Sequence, residues 1–178
     1  MHRMVAGILS LSQHLSAVQS TPDLYRPACC PSCGQGRVWH HGHYVRKSDR
    51  SAAPEQARCL VPILRFRCAG CGRTCSRLPG FLSPRRWYAW AVQQVALLCV
   101  LLGSSLRQGA ARSGVARSTV RRWRDSLRER STVFAFHLCS RFPDLGRTVD
   151  STAFWQSCLS TWSLAETMTW LDREVDVP

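Results

Sequence analysis

The sequence predicts an α+β protein that is mainly helical, for three reasons. Two C-x-x-C pairs, within 29–34 and 68–73, lie at the ends of short runs rich in aromatic and β-branched residues, which is the pattern of a small sheet. From residue 87 onward, apolar residues recur at helical spacing. Near Gly114, two short periodic segments are joined by a glycine-containing connection, which predicts two helices that meet at a tight turn.

Length and charge limit the function classes. A chain of 178 residues holds one medium domain or two small ones. The formal net charge of +13 favours a polyanionic partner, with nucleic acid first and an anionic membrane second. Of the 24 basic residues only Lys47 is a lysine, a bias that suits phosphate and guanine recognition but that a GC-rich genome also produces. Residues 1–130 carry a net charge of +16 and residues 131–178 a net charge of −3, which is typical of a basic binding body followed by a packing or interaction element.

Ten cysteines in a chain of this length raise the possibility of a secreted disulfide scaffold. The N-terminal segment lacks a long apolar stretch and a convincing cleavage site, so we expect no secretory signal. The longest apolar run begins at Trp87, has 16 residues and contains Gln93 and Gln94, which favours a buried helix over a membrane span. We therefore expect a soluble cytoplasmic protein without a membrane partner.

The first elements are a helix and two strands. Apolar residues at helical spacing predict an amphipathic helix over 4–19. The segments 37–46 and 58–67 have the composition of strands, and the polar segment 47–57 between them is predicted to be a turn or loop. Pro62 cannot donate a ladder hydrogen bond and so predicts an edge strand or a bulge.

Four helices are predicted after the strands. They cover Trp87–Leu102, which stops at Gly103, then Leu106–Arg112, Ser118–Arg130 and, after a break at 142–146, a final helix from Thr152 to Leu171. The Trp-rich stretch from Phe154 to Trp170 suits either the core or an interface between subunits, and we favour the core.

The two cysteine pairs predict a metal site. Each C-x-x-C is followed by glycine, which lets the backbone turn tightly beneath two thiolates, and two such knuckles complete a tetrahedral site of four thiolates for zinc. The predicted ligands of this single Zn²⁺ are Cys30, Cys33, Cys68 and Cys71. Cys29 competes with Cys30, but only Cys30 has the two-residue spacing to the next cysteine. Because four protein ligands leave no open position, the zinc is expected to be structural.

Two alternatives to this site remain open. The cysteines could be scattered buried thiols, which is how we interpret the other five, Cys59, Cys75, Cys99, Cys139 and Cys158. Histidine ligation by His40, His41 or His43 is also conceivable, but the four cysteines already fill the shell.

The segment from Ser105 to Trp123 has the pattern of a helix-turn-helix. Ala110 occupies the position that must be small, and Gly114 lies at the turn, where positive φ is needed. Val115, Val120 and Trp123 take the three apolar positions that bury the second helix against the first. Gly109 and Ser113 stand where apolar residues are commoner in this motif. The alternative interpretation is a basic surface helix that does not bind DNA.

The opposite side of the second helix supplies the candidate nucleic-acid contacts, by hydrogen bonds to base edges and phosphates. They are Arg117, Ser118, Thr119, Arg121, Arg122 and Arg124, together with Arg112 at the end of the first helix. Ala116 is a poor helix cap. The i, i+4 spacing would allow Asp125 to pair with Arg121, which would remove one arginine from DNA binding.

These patterns divide the chain into four parts. They are an N-terminal amphipathic helix (1–24), a zinc-ribbon domain (25–83), a helix-turn-helix domain (84–131) and a C-terminal helical tail (132–178).

The chain resembles a family of bacterial insertion-sequence transposase-associated proteins in which a zinc ribbon precedes a helix-turn-helix. The resemblance extends from Tyr25 to Arg130, and its most specific part is C-G-R-T-x-S-x-L-P from Cys71 to Pro79, with Cys75 at a place that is usually aromatic. It implies a bacterial, nucleoid-associated protein that binds double-stranded DNA at the ends of a mobile element, in connection with transposition. The H-G-x-Y-x-R motif of the family matches residues 41–46, where Arg46 is a candidate phosphate contact.

Catalysis by this chain is not expected. Transposases of the acidic-triad class need three carboxylates on a ribonuclease-H-like sheet to bind two metal ions. Only 48 residues follow Arg130, and Asp150 lacks the βαβ body that would supply the other carboxylates. The expected function is therefore sequence-specific DNA binding, as part of a transposase or beside one, or as a homodimer. The alternatives are a complete or truncated transposase, a transcriptional regulator unrelated to mobile DNA, and an RNA-binding ribbon protein.

Overall fold

The structure, a computed structural model, describes residues 3–47, 60–84, 88–148 and 150–177. It confirms the mainly helical α+β class. The α-helices in the described residues are α1 (Leu11–Ser20), α2 (Trp90–Leu101), α3 (Leu106–Ser113), α4 (Arg117–Arg141), α5 (Ser151–Thr161) and α6 (Leu164–Leu171). The strands are β1 (Met4–Val5), β2 (Val38–Lys47), β3 (Leu60–Cys68), β4 (Thr74–Cys75) and β5 (Leu78–Pro79). Short 3₁₀ helices span Pro22–Tyr25 and Pro143–Arg147.

The three-stranded sheet is antiparallel, in the order β2-β3-β4. A register shift between His40 and His43 marks a bulge in β2. Strand β3 is the central strand of this sheet, but β4 pairs with it at Phe66 and Arg67 and does not reach Pro62. Within the described residues, Pro62 therefore has β2 on one side and no strand on the other, as the prediction of an edge position requires. The predicted loop at 47–57 lies, beyond Lys47, outside the described residues.

The predicted N-terminal helix is too long at its beginning. Helix α1 starts at Leu11, because Ser10 and Gln13 form a capping box that satisfies the first backbone N–H groups. Before it, Gly7 has φ +79°, a conformation that a helix cannot continue through. Met4 and Val5 lie instead in β1, which pairs in parallel with β5.

His14 attaches α1 to the sheet. Its side chain is fully buried, and its Nε2 lies 2.7 Å from the carbonyl oxygen of Pro62, so Nε2 must carry the proton and donate it. Its Nδ1 then accepts the hydroxyl hydrogen of Tyr25, at 2.6 Å. Both hydrogen bonds require the neutral ring with its proton on Nε2, and burial lowers the pKa of His14 below 6.5.

This histidine makes the stability of the protein depend on pH. Because the pKa is lowered on folding, the unfolded state binds more protons, and the contribution of His14 is complete above about pH 6.5 and lost as the pH falls toward the folded-state value. We expect Tm to fall between pH 7.5 and 5.5, and to fall less steeply in His14→Gln. The exposed His41→Gln is the control and should keep the wild-type slope. Equal slopes for wild type and His14→Gln in thermal melts would contradict the assignment.

Helix α2 is the centre of the helical half and packs against α3, α4, α5 and α6. It begins at Trp90, and Trp87 of the predicted span lies outside the described residues; the predicted stop is confirmed, with Gly103 at φ +87°. The two glutamines of this apolar helix are satisfied: Gln93 Nε2 donates to the carbonyl oxygen of Tyr88, and Gln94 Oε1 accepts the backbone N–H of Leu164. Among the described residues, no helix combines the length and the apolar character needed to cross a membrane.

Helix α4 runs eleven residues beyond the predicted end at Arg130, so the predicted domain boundary at 131/132 lies inside one helix. The reason is tertiary packing, since Phe134 and Leu138 of its second half are buried in the same core as its first half. Ser131, beside the predicted boundary, accepts a hydrogen bond of 2.8 Å from the buried Trp155 Nε1. The tail and the helix-turn-helix therefore form a single packed unit.

The predicted final helix is two helices. The chain becomes extended at Trp162, with φ −127° and ψ 153°, and Ser163 begins α6 with a capping box to Glu166. The predicted break at 142–146 is confirmed by the 3₁₀ turn there. The Trp-rich stretch contributes Phe154, Trp155 and other side chains to the main core, as favoured from the sequence.

The N-terminal strand connects the two halves of the molecule. Met4 is buried in the helical core and Val5 in the core beneath the sheet. The buried Asp172 Oδ2 accepts the backbone N–H groups of Arg3 and Met4, the latter at 2.8 Å. The guanidinium of Arg3 pairs with Asp176 at 2.7 Å. The position of the ribbon relative to the helices is fixed by these contacts.

Candidate metal centre and nucleic-acid interface

The two C-x-x-C segments fold into matching knuckles. In the first, the backbone N–H of Gly34 donates to the carbonyl oxygen of Cys30 at 2.9 Å, and in the second Gly72 donates to Cys68 at 3.0 Å. Both glycines have positive φ, +74° and +71°, which explains why glycine follows each pair. The two knuckles lie at the ends of β2 and β3, which the sheet brings together.

Backbone N–H groups point at one sulfur in each knuckle. Ser32 N lies 3.4 Å from Cys30 Sγ, and Gly70 N lies 3.3 Å from Cys68 Sγ. The N–H of Ser32 is the main reason that the pKa of Cys30 falls to about 6. The pKa of Cys68 is also lowered, first by the N–H of Cys71. The knuckles thus favour thiolates, the form in which cysteine binds metal.

The sulfurs of Cys30, Cys33, Cys68 and Cys71 all lie within 4.8 Å of one another, close enough to hold a metal ion. The Cys30–Cys71 pair is 3.6 Å apart and the Cys33–Cys68 pair 3.5 Å. Four sulfurs at about 2.3 Å from a tetrahedral zinc lie about 3.8 Å apart, so the cluster fits that ion. Its exposed members, Cys33 and Cys71, face solvent.

The closeness of the sulfurs affects their ionisation. Although the N–H of Gln35 lowers the pKa of Cys33, the nearby sulfurs, with Cys68 first among them, and desolvation raise it to about 12. Neighbouring thiolates disfavour one another, so a divalent cation would favour the form in which all four sulfurs coordinate.

The remaining cysteines and the histidines lie outside this cluster. Cys29 is exposed, Cys99 and Cys158 are buried, and Cys75 and Cys139 are half-buried; Cys59 lies outside the described residues. The candidate metal cluster found among the described residues contains no histidine. His40 contacts the ring of Phe66 instead, at a centroid distance of 5.8 Å.

Arg46 is not the free phosphate contact that the sequence predicted. Its guanidinium donates to the carbonyl oxygen of Ser83 at 2.7 Å, and burial lowers its pKa. It connects β2 to the segment that leads into the helical half. Arg77 has a similar role, because it donates to the carbonyl oxygens of Leu24 and Met4.

Helices α3 and α4 form the predicted helix-turn-helix arrangement. Gly114 ends α3 in the left-handed conformation, with φ +67°. Val115, Val120 and Trp123 are buried in the helical core, and Trp123 meets Tyr88 edge to face. These three positions determine which side of α4 is exposed.

Gly109 is the small residue at which α3 meets α2. A Cβ on Gly109 would lie 3.3 Å from the carbonyl oxygen of Ala96 and from Val100 Cγ2. The glycine that departs from the usual apolar preference therefore lets α3 contact α2 directly. Ala110, the position predicted to be small, is half-buried and packs against the helical core.

The predicted nucleic-acid contacts divide into two groups. Those with exposed side chains are Arg112, Arg117, Ser118, Arg121 and Arg122. Thr119 is a correction, because it is only 8 % exposed and its hydroxyl accepts a hydrogen bond from Arg122 at 3.3 Å. Asp125 pairs with Arg124 at 2.6 Å and not with Arg121, so Arg124 is the arginine that is neutralised. As predicted, Ala116 gives α4 no side-chain cap.

Comparison with protein families identifies the central segment. The model of a family described as a domain of unknown function, DUF6431, matches residues 30–123. The chain belongs to the DUF6431 family. The matched segment begins at the first cysteine of the cluster and ends at Trp123 of α4, so both features described above lie within it. No curated protein and no solved structure matches the chain.

The DUF6431 segment carries most of the positive charge. Residues 30–123 contain 16 basic and two acidic residues, which is a net charge of +14. The net charge of the whole chain is +13, because the remaining residues are slightly acidic on balance. The two acidic residues, Asp49 and Glu55, lie outside the described residues. The described surface of this segment is therefore without carboxylates, and a polyanion meets no repulsion there.

Asp150, considered as a catalytic carboxylate, has a structural role in this DUF6431 protein. Its Oδ1 accepts the backbone N–H groups of Thr152 and Ala153, at 2.7 and 2.8 Å, and so caps α5. This capping was visible in the sequence as an aspartate directly before a run at helical spacing. The roles of His14 and Asp172 have no comparable local signature, because their partners are distant along the chain.

Proposed function

We propose that the protein binds double-stranded DNA by placing the N-terminal half of α4 in the major groove. The observation that carries this proposal is the phase of α4. Because Val120 and Trp123 are buried, the side chains of Arg117, Arg121 and Arg122 are directed to solvent near the start of the helix. In helix-turn-helix proteins this part of the second helix contacts base edges.

Four features support a recognition helix over an ordinary solvent-exposed basic helix. The turn residue is a left-handed glycine, and the second helix is buried on one side only. The family segment has a net charge of +14. Arg121 is not paired with Asp125, since that carboxylate binds Arg124.

We further propose that the four-cysteine cluster holds one structural Zn²⁺. The sulfur-only donor set and its distances suit zinc, and zinc with four protein ligands has no open position for a substrate. Bound there, it would crosslink the ends of β2 and β3. Its role would be to stabilise the ribbon that lies beside the DNA-binding unit.

A link to transposition is the biological part of the proposal. It rests on the resemblance of Tyr25–Arg130 to insertion-sequence proteins, and it extends to a bacterial, nucleoid-associated location with a transposase or a second copy of this chain as partner. The rival functions are a transcriptional regulator and a transposase enzyme. Metal-dependent strand transfer by the purified chain would favour the enzyme, whereas flanking inverted repeats beside the gene would favour the mobile-element assignment over the regulator.

The test is a pair of charge substitutions on α4. In Arg121→Ala/Arg122→Ala, loss of two contacts is expected to weaken binding to duplex DNA by at least about 30-fold at moderate salt, because each base-edge contact contributes about 1–3 kcal/mol. Affinity is measured by gel shift or anisotropy over a salt series, and the double variant should show a shallower dependence on salt.

The matched control is Arg147→Ala, which removes an arginine that is exposed and paired with Asp144, in the 3₁₀ turn that follows the C-terminal end of α4. It should change the affinity less than twofold. If the α4 variant binds as tightly as wild type, α4 is not the recognition helix. Selection of bound sequences from random duplexes then gives the target site and its symmetry.

A further inference from the structure

The three-stranded sheet has one covered face and one that is open at one end. Leu64 and Phe66 of β3 lie on the covered face, in a core shared with α1. On the opposite face, Val61 and Ile63 are covered by a small cluster that includes Leu78 and Leu82. Beyond Ile63, the next side chains on this second face are those of Arg65, which is half-buried, and Arg67, which is exposed.

Two aromatic residues of β2 share this second face. Trp39 is paired with Arg67, and Tyr44 with Ile63, so each points to the same side as its partner. Trp39 is 60 % exposed and Tyr44 40 % exposed. Ile63 and Arg67 are four residues apart, which places the two aromatic positions about 13 Å from each other along the strands, with Arg65 between them. We call Trp39, Tyr44, Arg65 and Arg67 the ribbon stripe.

The surroundings of the ribbon stripe select an anionic partner. Residues 25–83 contain ten basic and two acidic residues, and the described part of this region has no carboxylate. An indole that is 60 % exposed costs solvation energy unless something covers it. Aromatic rings on a sheet with arginine between them offer stacking to bases and a charge-assisted hydrogen bond to the phosphate that joins them.

The aromatic rings further specify which form of nucleic acid fits. A base inside a duplex is covered on both faces by its neighbours, so a protein ring can stack only on a base that is unpaired. The second helix of the helix-turn-helix, by contrast, has the polar and charged surface that a duplex groove requires. The two surfaces therefore suit different parts of one DNA molecule.

We propose that the ribbon stripe binds an unpaired segment of DNA, with bases stacked on Trp39 and Tyr44 and the intervening phosphates on Arg65 and Arg67. This inference rests on the proposed function, because it assigns to the protein a junction at which α4 holds the duplex and the ribbon holds the single strand. The predicted ligand is thus a duplex that ends in, or opens into, a single strand.

The experiment compares three DNA probes by anisotropy: a blunt duplex, the same duplex with a six-nucleotide dT overhang, and free oligo-dT. Wild type should bind the overhang probe more tightly than the blunt duplex. Trp39→Ala should weaken overhang binding roughly tenfold, because it removes the stacking of one base on one ring. It should change blunt-duplex binding less than twofold, because the blunt duplex has no unpaired base to stack on Trp39. Trp39→Phe, which keeps a ring, should retain most of the gain.

Two controls separate stacking from effects on folding. Phe136→Ala removes an aromatic ring that is 69 % exposed on α4, far along the chain from the ribbon, and should leave all three affinities unchanged. Metal content and Tm of Trp39→Ala should equal those of wild type, since the side chain is mostly in solvent. An equal loss on the blunt and overhang probes would overturn the proposal, and so would the absence of any loss.

The outcomes also separate this inference from the proposed function. If wild type binds the blunt duplex through Arg121 and Arg122 but gains nothing from the overhang, the ribbon stripe is wrong and the function of α4 stands. If it binds oligo-dT in a Trp39-dependent way but does not bind the duplex, the assignment of α4 is wrong and the ribbon stripe stands. Tighter binding of oligo-rU than of oligo-dT would overturn the choice of DNA and assign the stripe to RNA.

Discussion

Cys30→Ser/Cys68→Ser is expected to contain no bound zinc and to lose the folded ribbon. These two cysteines are the buried pair of the cluster, and each accepts a backbone N–H from its own knuckle. The core beneath the sheet has few members, so the proposed zinc, by crosslinking the ends of β2 and β3, would supply much of the stability of the ribbon. Structural zinc sites of this kind contribute on the order of 10 kcal/mol to folding. The measurement is metal content per chain by mass spectrometry, together with the loss of β-sheet signal in circular dichroism.

The matched controls are Cys29→Ser and Cys139→Ser. Cys29 is adjacent to a ligand but exposed and outside the cluster, and Cys139 lies in the helical half. Both variants should retain one zinc per chain. One zinc in the double variant, or none in the native protein, would reject the site. Acid should also release the metal, because protons compete with zinc for four thiolates.

Trp155→Ala is expected to destabilise the helical half by about 3–5 kcal/mol, the usual cost of emptying a large aromatic site in a core. Trp155 is 1 % exposed and meets both Phe134 and Phe154 edge to face. Its Nε1 donates to Ser131 in the middle of α4. Thermal and denaturant unfolding measure the loss, and duplex affinity should fall at temperatures where the variant is partly unfolded.

The comparison variant is Phe136→Ala, which removes an aromatic side chain from the exposed side of α4. Its Tm should change little. The contrast tests whether residues 132–178 are a separate tail or part of the unit that contains the helix-turn-helix. A Trp155→Ala protein with wild-type stability would show that the C-terminal helices do not support α4.

Patterns confined to a few neighbouring residues were predictable from the sequence. The two-residue spacing to Cys33 selected Cys30 over Cys29, and the structure brings that cysteine into the cluster. Gly114 predicted the position of the turn, because few other residues tolerate the positive φ that the turn requires. The three apolar positions after it gave the correct orientation of α4.

Features that depend on distant partners were not predictable. Strand β1 has two residues and pairs with residues more than 70 positions away, so it has no local periodicity. The end of α4 was placed too early because its polar middle resembles a helix terminus, whereas Phe134 and Leu138 continue the buried side. The i, i+4 spacing permits a pair between Asp125 and Arg121 but does not require it, and Asp125 pairs with the adjacent Arg124 instead. Gly109 departs from the apolar preference of the motif because the backbone of α2 lies directly against it, and that contact is not visible in the sequence.

The continuity of α4 has a mechanical consequence. Leu138, packed in the core, and Arg121, in solvent, are separated by 17 residues of one helix, or about 26 Å. Because both halves of α4 pack in one core with α5 and α6, Arg121 moves with that core as a unit. In the proposed complex, tilting this unit by about 10° about Leu138 would displace Arg121 by about 4–5 Å, more than the 3.4 Å between successive bases of a strand, and so would change the register of the arginines on DNA.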